Sequence, residues 1–201
     1  MGRREFLKIF NAAERKFGKD PTRLAGEGWP EPWQLVVTTI MSAQSRDETT
    51  IPVAEGLFRK FPTLEQLAQA DSEEILAALK SLNYNKTKAR HILATAKILN
   101  ERKGEIPNTI DGMLQLPGVG RKTANLVVCE IHNADGICVD THVHRISNVL
   151  GLVKTKTPHQ TEKALQKIAP KRYWSRINRL FVLWGKKVPG RERKKLMAAL
   201  K

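Results

Sequence analysis

Lys122 and Asp140 are the side chains in this sequence whose settings best suit covalent chemistry. Lys122 sits in the stretch LPGVGRKTAN, Leu116 to Asn125, in the first turn of the helix expected after the two glycines. A lysine at such a place is ordinarily a solvated surface charge. Here the positive end of the helix dipole and the neighbouring Arg121 both disfavour the ammonium and favour the neutral, nucleophilic amine. Eighteen positions further on, Asp140 lies in CVDTHVHR, Cys138 to Arg145, a short polar turn between apolar stretches. A carboxylate beside an amine can take the proton as the amine attacks, and it places negative charge beside an oxocarbenium-like sugar. The other reading of Asp140 is as N-cap of the helical segment His142 to Val149. The two are compatible, because an N-cap position also favours the ionised carboxylate.

Gly118 and Gly120 flank Val119 and permit a tight turn that brings backbone close to a ligand, since neither glycine presents a Cβ. The N–H groups of that turn and of Arg121, Lys122 and Thr123 lack intrahelical acceptors and face the positive end of the dipole, an arrangement that binds phosphate. With a short apolar helix before it (Ile110 to Leu114) and a longer one running toward Ile131, this is a helix-hairpin-helix pattern. A plain glycine-containing turn would look the same in isolation, because short glycine motifs are weak signals. The basic context and the Lys122 and Asp140 segments that follow favour the hairpin: 35 Lys and Arg against 20 Asp and Glu give +15 and a pI near 10.1, the footprint of a protein whose partner is a polyanion. No run of 18 apolar residues and no signal-peptide pattern is present, so no membrane partner and an intracellular location, cytoplasm or nucleoid, are expected. Cys129 and Cys138 are the only cysteines, too few for a disulfide framework or a four-thiolate metal site, and both read as small buried hydrophobes. No metal ligand is assigned.

The elements that must position these groups read as helices throughout, giving an all-α fold. At 201 residues the chain can build one good core or two small lobes. Phe6, Ile9, Phe10, Ala13 and Phe17 recur at helical spacing and stop at Gly18. Trp33 to Gln44 reads as a buried helix; its run Val36, Val37, Thr38, Thr39, Ile40 would also suit a strand, but no second strand is available to pair with it. Asp47, Thr63, Asp71 and Thr157 read as N-caps, the last three with Gln66, Glu74 and Gln160 at capping-box spacing. Pro158 fits a first helical position and Pro170 ends that helix. Further helices are predicted over Lys86 to Asn100, closed by Gly104, and from about Arg172 to Trp184, before a short basic helix at the end of the chain.

LPGVGRKTAN followed by VDTHVHRI, together with MSAQSRD at Met41 to Asp47, resembles the endonuclease III branch of the helix-hairpin-helix DNA glycosylases. The likeness extends over roughly Phe6 to Trp184. It implies a two-lobed fold with the DNA cleft between a helical lobe over 25–134 and a second lobe built from 1–24 and 135–201. It implies that Lys122 attacks C1′ of a damaged nucleotide to form a Schiff base, that β-elimination then cuts the strand, and that Asp140 assists. The partner would be double-stranded DNA with a damaged base, an oxidised pyrimidine, or an abasic site, bound by a monomer. Gln44 matches the glutamine that fills the gap left by an extruded base, and Tyr84 falls where the family commonly places a leucine wedge. An aromatic ring there can stack on the estranged partner. His142 matches a histidine after the catalytic aspartate, whose alternative role is to hold the loop. Lys86 and Lys88 are expected phosphate contacts, beside Gly118, Val119, Gly120, Arg121 and Thr123 of the hairpin. A monovalent cation at the hairpin is left open.

The sequence departs from the family where four cysteines normally ligate a [4Fe–4S] cluster. After Trp184 and Gly185 it has Lys186, Lys187, Val188, Pro189 and Gly190, and from Lys186 to Lys201 seven Lys or Arg with a single Glu. The expectation is no cluster, a lobe held by Trp174, Ile177, Phe181 and Trp184 packing on the N-terminal helix, and phosphate contacts from the basic tail. Two other readings compete: a glycosylase or lyase for 8-oxoguanine, uracil or mismatched thymine, and a DNA-binding module without chemistry. The second predicts an uninformative residue at position 122 and no partnered acid.

Overall fold

The computed structural model describes residues 2–132 and 136–200, and every regular element among them is helical. In chain order these are α1 (Arg3–Phe17), α2 (Pro32–Ser42), α3 (Asp47–Lys60), α4 (Leu64–Gln69), α5 (Ser72–Ala78), α6 (Asn85–Glu101), α7 (Ile110–Leu114), α8 (Arg121–His132), α9 (Thr141–Val149), α10 (Pro158–Ile168), α11 (Trp174–Lys187) and α12 (Arg193–Ala198). The chain divides into two compact units, Arg23–His132 and Met1–Thr22 with Asn133–Lys201. No helix among the described residues is long and apolar enough to cross a membrane.

In the unit Arg23–His132, α2 is buried from Trp33 to Met41, the burial expected of a helix that is apolar all round. It packs on α3, α6 and α8, and this surround explains why its β-branched run forms a helix. A capping box between Glu31 and Gln34, with Pro32 in the first turn, starts it. Thr63 and Gln66 form the reciprocal box expected at α4. Two expected caps come out differently. Asp47 is the first residue of α3, not its cap, and its carboxylate accepts the N–H of Ala25 at 3.2 Å. Asp71 caps α5 through the N–H of Glu73, but Glu74 does not reciprocate because it pairs with Lys60 at 2.8 Å.

In the other unit, α1 turns Phe6, Ile9, Phe10, Ala13 and Phe17 inward against α11. Phe17 stacks with Trp184 at 6.5 Å between centroids, Trp184 meets Phe181 edge-on at 5.7 Å, and Phe10 lies 4.6 Å from Tyr173. Trp184 is fully buried, and its indole N–H donates to the carbonyl of Leu196 at 3.2 Å, so α12 closes over the aromatic cluster. The helix expected from about Arg172 starts at Trp174, after a single 3-10 turn over Lys171–Tyr173, because Pro170 holds extended backbone before it. The Trp174 indole N–H donates to Ala169 O at 2.8 Å and fastens the end of α10. Thr157, Gln160 and Pro158 start α10 as the sequence indicates. Gly18 closes α1 in ordinary right-handed backbone, with φ −62°, and a Cβ there would meet Glu14 O at 2.5 Å.

Candidate active site

Within Arg23–His132 the functional segments are mounted on α6. The hairpin α7–turn–α8 turns at Gly118, whose φ of +79° is open to glycine and strained for other residues. A Cβ there would lie 2.9 Å from the His91 ring of α6, so backbone and imidazole meet directly. One turn further along α6, Thr95 donates its hydroxyl to Pro117 O at 2.9 Å. Val119, only 7% exposed, anchors the turn from inside, and Thr123 is buried as well. With their side chains buried, these two residues have their backbone to offer a ligand, in keeping with the N–H groups that the sequence points to. Gly118 and Gly120 are exposed, Arg121 is half-buried, and Lys122 stands exposed in the first turn of α8. The first N–H groups of a helix have no intrahelical acceptors and lie at the positive end of its dipole, where an anion is favoured.

At the N-terminus of α6 two further segments converge. Gln44, just after α2, and Tyr84, the residue capping α6, both adopt left-handed backbone, with φ of 53° and 58°. Each costs on the order of 1 kcal/mol relative to ordinary backbone, which the surroundings must offset. Tyr84 is 65% exposed, the larger of the two exposed bulky hydrophobic side chains among the described residues, and Gln44 is exposed beside it in the chain's turn. Asn83 donates its side-chain amide to Gln44 O at 2.8 Å. Lys86 is exposed on the first turn of α6. Lys88 is not: it is 5% exposed, and its ammonium donates to Ser45 Oγ at 2.9 Å. Burial lowers its pKa from 10.5 to about 8. The expected phosphate contact at Lys88 is thereby corrected to an internal strut, because the amine points at the Gln44 turn.

In the other unit, Asp140 caps α9, accepting the N–H of Val143 at 2.8 Å, and is half-exposed. His142, two residues along, is packed with its Nδ1 buried against α11, where a Cβ at Gly185 would collide with its ring. That position favours the loop-holding role over a DNA contact. Arg145 follows on the same helix and donates to the carbonyls of Gly185 at 3.1 Å, Val188 at 3.2 Å and Gly190. Burial pushes its guanidinium below its ordinary pKa, and the Asp140 charge works in the opposite direction. Arg145, His91, Thr95, Asn83 and Ser45 were not singled out in the sequence. Only the histidine and arginine types carry any advance signal, since the others act through contacts across the fold.

Residues 37–171 match the family described as HhH-GPD superfamily base excision DNA repair protein. Endonuclease III of Thermotoga maritima is 40% identical over 159 residues, covering 79% of this chain and 75% of that one. The chain belongs to the endonuclease III family. A solved structure of a trapped endonuclease III–DNA covalent intermediate superposes with a TM-score of 0.84 at 30% identity, covering 93% of this chain and 87% of that one. A non-covalent endonuclease III–DNA complex does so at 0.87 and 28% identity, covering 99% and 95%.

As an endonuclease III relative, the protein invites the question of an iron–sulfur cluster, and its residues do not fit one. Four thiolates are needed. The 201 residues contain two, Cys129 in α8 and Cys138 just before α9, both buried and in different units. The segment after Trp184 is occupied otherwise: Arg145 bonds three of its carbonyls, and Arg193 donates to Leu150 O.

Proposed function

We propose that this endonuclease III family member removes oxidised pyrimidines from duplex DNA and nicks the strand through Lys122, without an iron–sulfur cluster. Its activity is that of a base excision repair DNA glycosylase and AP lyase, acting on duplex DNA with a damaged base or an abasic site. The observation that carries the assignment to Lys122 is its exposed place on the first turn of α8, directly after the anion-receiving turn at Gly118. A phosphate held by the backbone N–H groups there brings the adjoining sugar within reach of the amine.

In the proposed chemistry the Lys122 nitrogen forms a bond to C1′ as the glycosidic bond breaks and the base departs with the bonding pair. The nitrogen loses its proton to a base, the role that the family resemblance gives Asp140, and ring opening leaves a Schiff base at C1′. Loss of a C2′ proton then expels the 3′ phosphate oxygen, and water releases the lysine. Gln44 and Tyr84 occupy the space vacated by the extruded nucleotide. The relative caught as a covalent DNA intermediate supports a nucleophilic route.

The test is single-turnover excision on matched duplexes carrying thymine glycol, 8-oxoguanine, uracil or a G·T mismatch. Preferential release of thymine glycol is expected. Preferential release of 8-oxoguanine or uracil would overturn the assignment to oxidised pyrimidines while leaving the activity in place.

A further inference from the structure

Three groups near the N-terminus of α6 have no role in the chemistry above: the Asn83 amide, the buried Lys88 ammonium and the Ser45 hydroxyl. Asn83 donates to Gln44 O at 2.8 Å across 39 residues of sequence, and Lys88 donates to Ser45 Oγ at 2.9 Å across 43. Asn83 reaches the turn after α2 from the turn before α6, and Lys88 reaches it from the first turn of α6 itself. The two residues that those turns present, Gln44 and Tyr84, are two of the three non-glycine residues with positive φ among the described residues. Left-handed backbone at a glutamine and a tyrosine is unfavourable in isolation, and it persists where surrounding contacts over-determine it.

We infer that Asn83 and Lys88 are positioning residues that tie the Gln44 and Tyr84 turns into one preassembled, two-pronged wedge, formed before DNA is met. This rests on the reading of Gln44 and Tyr84 as the residues that fill the vacated space. Asn83 sets the prong next to it by fixing the Gln44 carbonyl, and through it the peptide that aims the Gln44 side chain. Lys88 holds the following residue from below, with a stem buried in the core of its unit and an amine that retains its donor in either protonation state. Preassembly matters because a duplex with an extruded nucleotide is a high-energy state. Prongs that had to find their backbone conformation during extrusion would pay that ordering in the same step.

The account separates substrates that need a wedge from those that do not. Single-turnover strand cleavage is measured on one abasic strand, either annealed in a duplex or left unpaired, for wild type, Asn83→Ala, Gln44→Ala and the double variant. Asn83 is exposed, so its replacement leaves the fold intact. Asn83→Ala is expected to slow cleavage of the duplex by roughly tenfold, as a small misplacement does, while the unpaired strand is cut at the wild-type rate. In the Gln44→Ala background the same change should add little, because the side chain it aims is gone. Lys88→Met is expected to show the same duplex-selective loss. Equal slowing of both substrates, no slowing of either, or independent multiplication of the Asn83 and Gln44 effects would overturn the preassembled wedge. Wild type that cuts neither substrate would bring down the functional reading itself, and the wedge with it.

Discussion

The Asp140 carboxylate accepts the N–H of Val143, so one side chain both starts α9 and supplies the proposed base. Asparagine is nearly as good an N-cap as aspartate, whereas alanine costs about 1 kcal/mol at such a site. Asp140→Asn is therefore expected to melt close to wild type but to release the base far more slowly, while Asp140→Ala loses both stability and activity. Equal excision by Asp140→Asn and wild type, at equal lesion affinity, would remove Asp140 from the mechanism. Lys88 carries a second residue-scale expectation, through its pKa of about 8 in the fold against 10.5 ordinarily. Between those values the unfolded chain holds the proton and the folded chain does not, so stability rises with pH across that window; below it the burial penalty is complete. The urea midpoint of wild type relative to Lys88→Met should thus improve from about pH 7 to about pH 9.5, and a pH-independent difference would contradict the burial. Lys122 and Asp140 stand out in the sequence because their types and local settings are chemical. The misplacement of Lys88 as a surface charge has an equally plain cause: nothing in NYNKTKA distinguishes a lysine on the inner face of α6 from Lys86 on the outer one.

At the scale of elements, α6 carries both ends of the site in Arg23–His132, the wedge turns through Lys88 and the hairpin through His91 and Thr95. Gly118→Ala meets two obstacles at once, a φ of +79° and a Cβ 2.9 Å from the His91 ring. The expected result is a loss of about 1–3 kcal/mol in stability and a larger loss in affinity for abasic duplex, since the turn must shift away from α6. Unchanged affinity in a binding titration would show that the hairpin does not receive the phosphate. Helix identity was legible wherever caps are local, as with Thr63 and Gln66 or Thr157 and Gln160. It was less so where a distant group competes, as Ala25 does for Asp47 and Lys60 for Glu74. The β-branched run in α2 resolves as helix only through burial by α3, α6 and α8, which no local pattern records.

At the scale of the whole molecule, a net charge of +15 supplies long-range attraction to a polyanion. The C-terminal segment is held without thiolates, by the Trp184 bond to Leu196 and by arginine side chains on backbone carbonyls. The central claim is that Lys122 forms the covalent bond to DNA. Borohydride reduction of the protein mixed with an abasic duplex, followed by denaturing electrophoresis and peptide mapping, tests it most directly. Wild type should give an adduct that maps to Lys122, and Lys122→Gln should bind the duplex yet give no adduct. An adduct from Lys122→Gln at the wild-type rate, or a wild-type adduct on a different residue, would contradict the account.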